Sequence, residues 1–229
     1  MRTTLIENFI NLFYPLICPV CGTQLVHGEK IICTLCLLHM PRSNYHLFDD
    51  NPVAKAFWGR VKIENATAYF LFEKGSKYQK LIHKLKYKGR ENIGLELGRM
   101  FGEVLKETIF QQIDYIVPVP LHFKKLKKRG FNQSELITRG MSEAMGKEQN
   151  TKTLIRHIAN PTQTRKTRVE RWENVEGIFH LKDPQQFNSK HILLVDDVLT
   201  TGATLEACAD AILKAQDAKL SIAVLAYAL

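Results

Sequence analysis

The segment from Ile192 to Thr204 restricts the fold of this chain more than any other stretch of its sequence. It reads Ile-Leu-Leu-Val-Asp-Asp-Val-Leu-Thr-Thr-Gly-Ala-Thr, which is an apolar run, two adjacent acids and a short polar loop. Four consecutive apolar residues are typical of a strand that is buried on both faces. Apolar positions from Leu205 to Gln216 predict a helix directly after the loop. The segment therefore predicts a strand, a loop and a helix in direct succession.

The rest of the sequence repeats this alternation of strand and helix. Strands are predicted at Ala66–Phe72, Tyr115–Val119, Leu154–Ile158, His191–Val195 and Leu220–Tyr227. Helices are predicted at Tyr78–Tyr87, Ile93–Glu107, Gln133–Met145 and Leu205–Gln216. Such alternation is typical of an α/β fold, with a parallel sheet and helices on both faces. Right-handed crossovers would bring the carboxyl ends of the strands to one edge of the sheet, where ligands bind.

The loop after the two acids has the composition of a phosphate-binding site. The backbone N–H groups of this loop and of the first helical turn have no intrahelical partners, and the helix dipole favours an anion there. Asp196 and Asp197 would repel a phosphate but accept hydrogen bonds from sugar hydroxyls. The pattern therefore predicts a clamp for ribose 5-phosphate. Its phosphate-binding residues would be Thr200, Thr201, Gly202, Ala203 and Thr204.

Other phosphate-binding motifs do not explain the segment. The chain has no Gly-x-x-x-x-Gly-Lys motif, and no Gly-x-Gly-x-x-Gly follows a predicted strand. A receiver-type domain needs a phospho-acceptor aspartate on a later strand, whereas only 32 residues follow Asp197. The alternative is a purely structural role, in which the two acids cap a helix after a core strand. It accounts neither for two adjacent acids nor for the Thr-Thr-Gly-x-Thr spacing.

A second loop follows the predicted strand Tyr115–Val119. It contains two prolines, Pro118 and Pro120, and proline cannot continue a hydrogen-bonded ladder. Because X-Pro bonds tolerate the cis form, the bond between Val117 and Pro118 is a candidate cis peptide. The alternative is an ordinary strand end with a proline turn.

Positive charge is concentrated in one window of the chain. The net charge is +9, and Leu121–Arg171 contains 13 lysines and arginines against four glutamates. This window suits a polyanionic small molecule, nucleic acid or both, and the alternative is a solvated face. Phe123 and Phe131 flank its lysine cluster at Lys124–Arg129. The second half of the window has no periodicity and predicts a long basic loop that carries Arg165, Arg168 and Arg171.

Four of the five cysteines form two pairs. The spacing Cys-x2-Cys, eleven residues, Cys-x2-Cys is typical of zinc sites, and four thiolates complete a closed tetrahedron. A site without an open position predicts a structural zinc, whereas a redox pair and buried free thiols are the alternatives. Cys208 shares a predicted helix face with apolar residues, so we expect it to pack in the core. The predicted zinc ligands are Cys18, Cys21, Cys33 and Cys36.

The amino-terminal residues Met1–Ile17 place their apolar side chains on one side of a predicted helix, and polar residues interrupt the run. This pattern predicts a helix that docks on the rest of the chain, and a helix on a membrane surface is the alternative. It does not predict a membrane span or a signal peptide, so we expect a cytoplasmic protein. Three parts follow: a helix with a zinc module over residues 1–45, a strand with helices over 46–110, and an α/β core over 111–229.

These motifs together resemble known proteins. The pattern from Val195 to Thr204 resembles the phosphoribosyl-diphosphate signature of type I phosphoribosyltransferases. In combination with the cysteine pairs, the chain resembles the ComF family, which includes bacterial competence proteins for DNA uptake. The stretches that carry the resemblance are Cys18–Cys21, Cys33–Cys36, Leu85–Arg90, Val117–His122, Lys128–Gln133, Gln163–Arg165, Arg171–Val175 and Val195–Thr204.

The resemblance implies a type I phosphoribosyltransferase-like fold with bound zinc, and a donor, phosphoribosyl diphosphate, that binds with Mg²⁺. Asp196 and Asp197 would be the catalytic acids that hold the ribose hydroxyls. A flexible loop would close over the diphosphate through Arg165, Arg168 and Arg171. The diphosphate itself would contact Val117, Pro118, Val119, Pro120 and Leu121. The resemblance also implies a link to natural transformation, but it does not identify the acceptor.

In the phosphoribosyltransferase superfamily, a hood outside the core recognises the acceptor base. Because the sequence ends directly after the last predicted strand, we expect this hood upstream of the core. The candidates are the zinc module, Lys84–Arg90 and the aromatic residues Phe57, Trp58 and Tyr69. Two non-enzymatic functions stay open: single-stranded DNA binding, and an adaptor for a DNA-translocating ATPase of the competence system.

Overall fold

The computed structural model describes residues 15–87, 89–156 and 178–229. The helices are α1 Thr34–Leu38, α2 Pro52–Lys55, α3 Lys77–Lys84, α4 Glu91–Leu105, α5 Phe123–Arg129, α6 Gln133–Met145 and α7 Ala203–Ile212. The strands are β1 Ala66–Phe72, β2 Tyr115–Pro118, β3 Glu148–Gln149, β4 Leu154–Arg156, β5 Phe179–Leu181, β6 His191–Leu199 and β7 Lys219–Ala228. Short 3-10 turns occupy Tyr45–Leu47, Ile109–Gln112 and Pro184–Phe187.

A five-stranded sheet with the order β1-β7-β6-β2-β3 forms the centre of the described part of the chain. All four pairs of neighbouring strands in it are parallel. Strands β6 and β7 pair over the longest stretch, from His191 opposite Lys219 to Leu199 opposite Tyr227. Their apolar residues are buried, as expected for a parallel sheet that is covered on both faces. The predicted α/β fold is confirmed.

Helices cover both faces of the sheet because side chains alternate along each strand. Leu193 and Val195 of β6 share an apolar cluster with residues of α4 and α6. Ile192 and Leu194 of the same strand share a second cluster with residues of α7. A single strand therefore contributes to two cores and is buried on both sides.

Helices α4 and α6 cross very closely at two glycines. A Cβ atom at Gly98 would lie 2.1 Å from the carbonyl oxygen of Ile137. One at Gly140 would lie 2.0 Å from the carbonyl oxygen of Leu95. Because no side chain fits at either position, the two helices are fixed against each other backbone to backbone. This contact holds α6, whose first turn lies at the carboxyl end of β6.

The cysteine module packs against α3. Its buried residues belong to the same apolar cluster as residues of α3, α4 and the sheet. The hydroxyl of Tyr78 donates a hydrogen bond to the carbonyl oxygen of Cys36 at 2.9 Å. The ammonium of Lys84 donates to the carbonyl oxygen of Pro19 at 2.7 Å. The module is therefore attached to α3 by polar contacts as well as by burial.

The predicted elements correspond to the structure with one important difference of length. Strand β1 and helix α6 have the predicted bounds, and the other predicted helices end within a few residues of expectation. Strand β6, however, continues to Leu199, so Asp196 and Asp197 lie inside it and not after it. The reason is the ladder with β7, which continues until Leu199 pairs with Tyr227.

The strand predicted at Leu154–Ile158 lies outside the parallel sheet. Its described part, β4, pairs antiparallel with β5 in a separate two-stranded sheet. The position next to β2 is taken by β3 instead. An apolar run of this length predicts a strand but contains no information about its partner, and residues 157 and 158 lie outside the described residues.

The proposed cis bond between Val117 and Pro118 was wrong, because no described peptide bond is cis. Strand β2 stays extended through Pro118, which lies opposite Val195. The next amide, that of Val119, donates to the carbonyl oxygen of Val195 at 2.9 Å. Since the chain continues in the extended direction here, no turn is needed at this proline.

The lysine cluster forms helix α5, an element that the sequence pattern did not predict. Nδ1 of His122 accepts from the amide of Lys124 at 3.2 Å at the start of the helix. Gly130 ends the helix in the left-handed conformation with φ of 84°. Lysine and arginine favour helices, so the cluster has suitable propensity even without an apolar face.

The predicted amino-terminal helix, Met1–Ile17, lies almost entirely outside the described residues. The residues described at its end are not helical, and Ile17 forms an antiparallel bridge with Gln24. Within the described part of the chain, no helix has both the length and the apolar character that a membrane span requires.

Candidate functional site

Asp196 and Asp197 lie near the carboxyl end of the central strand β6. Because they are consecutive strand residues, their side chains leave the strand in opposite directions. One carboxylate oxygen of Asp196 accepts from the hydroxyl of Ser134 at 2.9 Å and from the amide of Asp197 at 2.8 Å. A carboxylate oxygen of Asp197 lies 3.2 Å from the ammonium of Lys86. Two different elements therefore hold the two acids: the first turn of α6 and the turn after α3.

The environment of Asp196 disfavours its charge. Burial raises the pKa of the Asp196 carboxyl to about 7, and the neighbouring charge of Asp197 adds to the rise. The hydrogen bonds from the Asp197 amide and the Ser134 hydroxyl oppose it. A ligand hydroxyl that donates to this carboxylate would favour the charged form. Ionisation of Asp196 and binding of a polyhydroxylated ligand are therefore coupled.

The loop between β6 and α7 has the geometry of an anion site. Gly202 precedes the helix with φ of 80°, and no side chain caps the first turn. The amides of this turn are thus free of side-chain partners and point towards the loop. A shallow depression at this place is lined by Asp196, Thr200, Thr201, Gly202, Ala203 and Thr204, with three apolar neighbours. The predicted phosphate-binding residues therefore lie together beside one of the two acids.

The amino-terminal half of the chain supports this loop from outside. A Cβ atom at Gly202 would lie 3.3 Å from the ring of Phe57, which is fully buried. The guanidinium of Arg60 donates to the carbonyl oxygen of Thr201 at 3.4 Å and forms an ion pair with Glu206 in the first turn of α7. Sequence analysis missed Arg60 because its partners are far away along the chain.

Both acids share a cleft of about 150 Å³ with a group of cations. Of the proline loop, Val119, Pro120 and Leu121 line this cleft. Val117 and Pro118 do not, because they are buried within β2. The cations that line the cleft are Lys86, Lys125, Arg129 and Arg156. Two carboxylates and four cations thus surround one small space.

The Gly-Phe-Asn-Gln block connects the walls of this cleft. The side-chain oxygen of Asn132 accepts from the amide of Ser134 at 3.2 Å and so caps α6. Its side-chain nitrogen donates to the carbonyl oxygen of Val119 at 3.0 Å. The side-chain oxygen of Gln133 accepts from the guanidinium of Arg129 at 2.7 Å. The block therefore ties the proline loop and α5 to the helix that holds Asp196.

Two buried donors of the cleft residues have no hydrogen-bond partner within the described part of the chain. They are Nε2 of Gln133 and Nε of Arg156. Leaving such a donor unpaired costs about 1–3 kcal/mol, and ligand sites are among the places where this is tolerated. An excess of donors over acceptors suits an anionic ligand.

Several residues of this cleft were not assigned from the sequence. Lys86 belongs to the expected hood stretch Lys84–Arg90, and the lining residues to which the sequence assigned no place in the site are Lys125, Arg129, Asn132, Gln133, Ser134 and Arg156. The block Lys128–Gln133 was noticed as a motif, but its pattern did not reveal which neighbours it contacts. The predicted arginines of the basic loop, Arg165, Arg168 and Arg171, lie outside the described residues.

Aromatic residues of the expected hood occupy different environments. Phe57 and Tyr69 are buried, so neither presents its ring to an acceptor. Trp58 is 59% exposed, and the ammonium of Lys55 lies 5.6 Å from its ring centre. Among the described candidates, only Lys86 and Tyr87 of the Lys84–Arg90 stretch lie close to the cleft.

The four paired cysteines converge on one point. Their sulfur atoms all lie within 4.8 Å of one another, and those of Cys21 and Cys33 are 3.6 Å apart. Zinc–sulfur bonds of about 2.3 Å in a tetrahedron place the sulfurs about 3.8 Å apart, so the residues present fit a metal ion. The hydroxyl of Thr23 lowers the pKa of Cys21 to about 6, whereas burial raises the pKa of Cys36. Cys208 is fully buried and belongs to the apolar core, as predicted.

Comparison with known proteins supports the assignment of the fold. Residues 98–229 match the family model described as Phosphoribosyl transferase domain, which covers more than half of the chain. This match includes the strands β2, β6 and β7 and the helices α6 and α7. Both acids lie within it, whereas strand β1 and Lys86 lie outside it.

Similar proteins of known sequence extend over most of the chain. The DNA utilization protein YhgH of Escherichia coli (strain K12) is 31% identical over 203 residues, which cover 86% of this chain and 84% of that protein. YhgH of Salmonella typhimurium (strain LT2) is 30% identical over 86% of this chain and 78% of that protein. Competence protein ComFC of Bacillus subtilis (strain 168) is 28% identical over 86% of this chain and 78% of that protein.

Solved structures with a similar arrangement are more distant. The allosteric regulatory enzyme of purine biosynthesis is 15% identical, with a TM-score of 0.46 over 62% of this chain and 30% of that chain. A hypoxanthine phosphoribosyltransferase from Staphylococcus aureus is 12% identical, with a TM-score of 0.35 over 60% of this chain and 64% of that chain. The family match and the curated relatives are the stronger findings. On these two findings, the chain belongs to the phosphoribosyl transferase domain family, as a member of the ComF group that includes ComFC.

Proposed function

We propose that this chain binds phosphoribosyl diphosphate with Mg²⁺ and transfers the phosphoribosyl group to an acceptor in a process linked to DNA uptake. The observation that carries the proposal is the proximity of two acids, an uncapped helix start and a cluster of cations in one place. The acids suit sugar hydroxyls, the free amides suit a phosphate monoester, and the cations suit a diphosphate. Each group of the donor thus has a complementary part of the site.

The ribose is the part of the donor that the acids would hold. Its two hydroxyls would donate to Asp196 and Asp197, and its 5′-phosphate would accept from the amides of Thr201–Thr204. The ribose would thus be held at its hydroxyls and at its 5′-phosphate, so the anomeric carbon would have one orientation. Orientation of this kind lowers the barrier of a displacement because less freedom is lost in the transition state.

The diphosphate would lie among the cations of the cleft. Lys125, Arg129 and Arg156 line the cleft together with the loop Val119–Leu121. Arginine pairs with phosphate oxygens through two parallel hydrogen bonds, which suits both ground-state binding and departure of the diphosphate. We also propose that Arg165, Arg168 and Arg171 close over the donor.

The cleft also suits the metal that accompanies such a donor. Carboxylate oxygens are ligands that Mg²⁺ accepts readily, and Asp196 and Asp197 place two of these groups at the cleft edge. Bound to the donor, Mg²⁺ would supply positive charge that neutralises the departing diphosphate. Asp196 would release its proton as the metal and the ribose approach, because both favour its charged form.

Calorimetric titration of phosphoribosyl diphosphate with Mg²⁺ tests this proposal. We expect saturable binding to the native protein and binding about tenfold or more weaker to Asp197→Asn, because a hydrogen bond to a charged group is lost. Asp210→Asn on α7 is the matched control, since Asp210 is exposed and does not line the cleft. Absence of binding to the native protein, or an equal loss in the control variant, would show that the signature serves only the fold.

A second candidate function is binding of single-stranded DNA. Helix α5 exposes Phe123 at 42% and Leu126 at 42% next to its lysines, and a basic surface with apolar side chains suits stacked bases. The names of the relatives, DNA utilization protein and competence protein, agree with a function in DNA handling. This candidate uses the outer face of α5 and leaves the cleft unexplained.

Salt dependence separates the second candidate from the first. DNA affinity carried by phosphates falls steeply with ionic strength. If DNA binding is the function, an oligonucleotide should bind the native protein at low salt and bind Lys124→Glu more weakly. If the native protein does not bind the oligonucleotide even at low salt, this candidate is excluded. An adaptor role for a DNA-translocating ATPase and a cytoplasmic location stay predictions.

A further inference from the structure

A second cavity adjoins the cleft on the side away from the phosphate loop. It has a volume of about 590 Å³, within the range of about 300–1,000 Å³ that is typical of small-molecule sites. The residues that line it are His83, Lys86, Tyr87, Lys125, Lys128 and Arg129. Three of them, Lys86, Lys125 and Arg129, also line the cleft with the two acids. The two spaces therefore share a wall.

The electrostatics of this cavity favour an anion. No aspartate or glutamate is among its lining residues. Lys86 is paired with Asp197 on the cleft side, and Arg129 is hydrogen-bonded to Gln133. Lys125 and Lys128 form no ion pair with any described residue. A neutral occupant would leave these two ammonium groups without a counter-charge.

One wall of the same cavity is aromatic. Tyr87 is 66% exposed, so its ring is accessible to a ligand in this cavity. An exposed aromatic ring beside basic side chains is the arrangement on which proteins stack nucleobases. Lys125, Lys128 and Arg129 lie on one face of α5, at the spacing of three and four residues that brings helical side chains together.

We propose that this cavity is the acceptor site and that the acceptor is a phosphate-bearing nucleotide, either free or at the end of a strand. The inference rests on the proposed function, because the acceptor must reach the ribose held by Asp196 and Asp197. Lys86 marks the boundary, with its ammonium 3.2 Å from a carboxylate oxygen of Asp197. The acceptor base stacks on Tyr87, and its phosphate pairs with Lys128, whereas Lys125 in the shared wall contacts the diphosphate of the donor.

The transfer itself balances without a further reactant. A nucleophilic nitrogen or oxygen of the acceptor donates its electron pair to the anomeric carbon of the donor. The bond from this carbon to the diphosphate oxygen breaks, and the diphosphate leaves with that electron pair. The proton of the acceptor atom passes to water. The products are a phosphoribosylated nucleotide and free diphosphate.

Calorimetric titration of the four 5′-deoxynucleotides and of the corresponding nucleosides tests the acceptor class. It is done without phosphoribosyl diphosphate so that no transfer occurs. We expect nucleotides to bind at least about tenfold more tightly than nucleosides, because a charged hydrogen bond is worth about this factor. Lys128→Glu and Tyr87→Ala should each weaken nucleotide binding about tenfold.

Lys127→Glu is the matched control, because Lys127 lies on the same helix, is exposed and does not line the cavity. It should change nucleotide affinity by less than about twofold, which is the small effect of a remote surface charge. Equal affinity for nucleosides and nucleotides would overturn the inference. So would an equal loss in Lys127→Glu and Lys128→Glu, or no nucleotide binding at low salt.

Two further titrations are needed. One distinguishes a free nucleotide from a strand end, and the other distinguishes failure of this inference from failure of the proposed function. The affinities of a 5′-phosphorylated oligonucleotide and of a mononucleotide are compared at several salt concentrations. If the oligonucleotide affinity falls more steeply with salt, the acceptor is the end of a strand; if both fall equally, the acceptor is a free nucleotide. Titration of phosphoribosyl diphosphate with Mg²⁺ into Lys128→Glu should match the native protein. Donor binding without nucleotide binding overturns only this inference, whereas nucleotide binding without donor binding overturns the acceptor role together with the proposed function.

Discussion

At the scale of single residues, Asp196 is the position where a charge that is costly for the fold is most useful for ligand binding. Asp196 is half-buried at the edge of the cleft and adjoins a second acid, and both its burial and this acid raise the pKa of its carboxyl. Ser134 holds this carboxyl in place but does not neutralise it. Retention of a costly charge next to an anion-binding loop is typical of functional sites. The sequence indicated both acids as site residues but predicted them after the strand, and it could not show that Asp197 pairs with Lys86.

The pKa of Asp196 predicts a pH-dependent stability. The pKa rises from an ordinary 3.8 to about 7, so the folded state binds a proton in this pH window that the unfolded state has released. Stability contributed by this group is therefore present at low pH and lost as the pH rises towards 7. Asp196→Asn should be more stable than the native protein at pH 8 by about 1–2 kcal/mol, and equally stable near pH 4. Urea unfolding at both pH values measures this, and a less stable variant at pH 8 would contradict it.

Replacement of Gly202 should affect both the backbone strain of the loop and the binding of the donor, and the two effects can be measured separately. Ala at this position must adopt φ of 80° and approach the ring of Phe57 to 3.3 Å, so Gly202→Ala should lose about 1–2 kcal/mol of stability. It should also bind phosphoribosyl diphosphate more weakly because the loop amides shift. Gly146→Ala is the control, since Gly146 has φ of 64° with open space around it and does not line the cleft. Thermal melting should detect a loss in both variants, and a fall in donor affinity in both would refute a specific role of the loop.

At the scale of elements, the longer parallel strands and helices were predictable from the pattern of apolar residues. Strand β1 is an almost continuous buried run, and helix α6 buries one side, so each has a clear signal, whereas the two-residue strand β3 has none. Helix α5 was not predictable in this way, since none of its residues is buried and a local cap with a terminal glycine defines it. Strand β4 was predictable as a strand but not in its pairing, because the pairing depends on β5, which lies far away along the chain.

The close crossing of α4 and α6 predicts that one added methyl group would strongly destabilise the protein. Gly140→Ala would place a Cβ atom 2.0 Å from the carbonyl oxygen of Leu95, so the two helices must separate. We expect a loss of about 3 kcal/mol or more in the free energy of unfolding, the upper range for overpacking. Arg139→Ala, an exposed neighbour in the same helix, should change it by less than about 0.5 kcal/mol. Similar denaturant midpoints for Gly140→Ala and Arg139→Ala would contradict the close packing of α4 against α6.

At the scale of the whole molecule, the amino-terminal half supports a site that belongs formally to the carboxyl-terminal half. Phe57 and Arg60 support the phosphate loop, and Lys86 pairs with Asp197. The family model begins at residue 98, so none of these three residues is part of the shared core. The sequence could not predict these contacts, because no local pattern connects residues so far apart along the chain.

Zinc should stabilise the whole chain, because the cysteine module shares its core with α3 and α4. Binding of structural zinc contributes about 10–16 kcal/mol of apparent folding free energy in small modules. Cys36→Ser should lose the metal and melt several degrees lower, since the module that packs against α3 loses the ion that stabilises it. Cys208→Ala should keep the metal, because Cys208 lies in the other apolar cluster. Metal analysis with thermal melting tests this, and a native protein without zinc would contradict it.

The most direct test of the account is a crystal structure of the protein with phosphoribosyl diphosphate and Mg²⁺. We expect density for the 5′-phosphate at the amides of Thr201–Thr204, for the ribose hydroxyls at Asp196 and Asp197, and for the diphosphate beside Lys125 and Arg129. Density for the donor elsewhere on the molecule, with these amides and carboxylates without contact to it, would contradict the account.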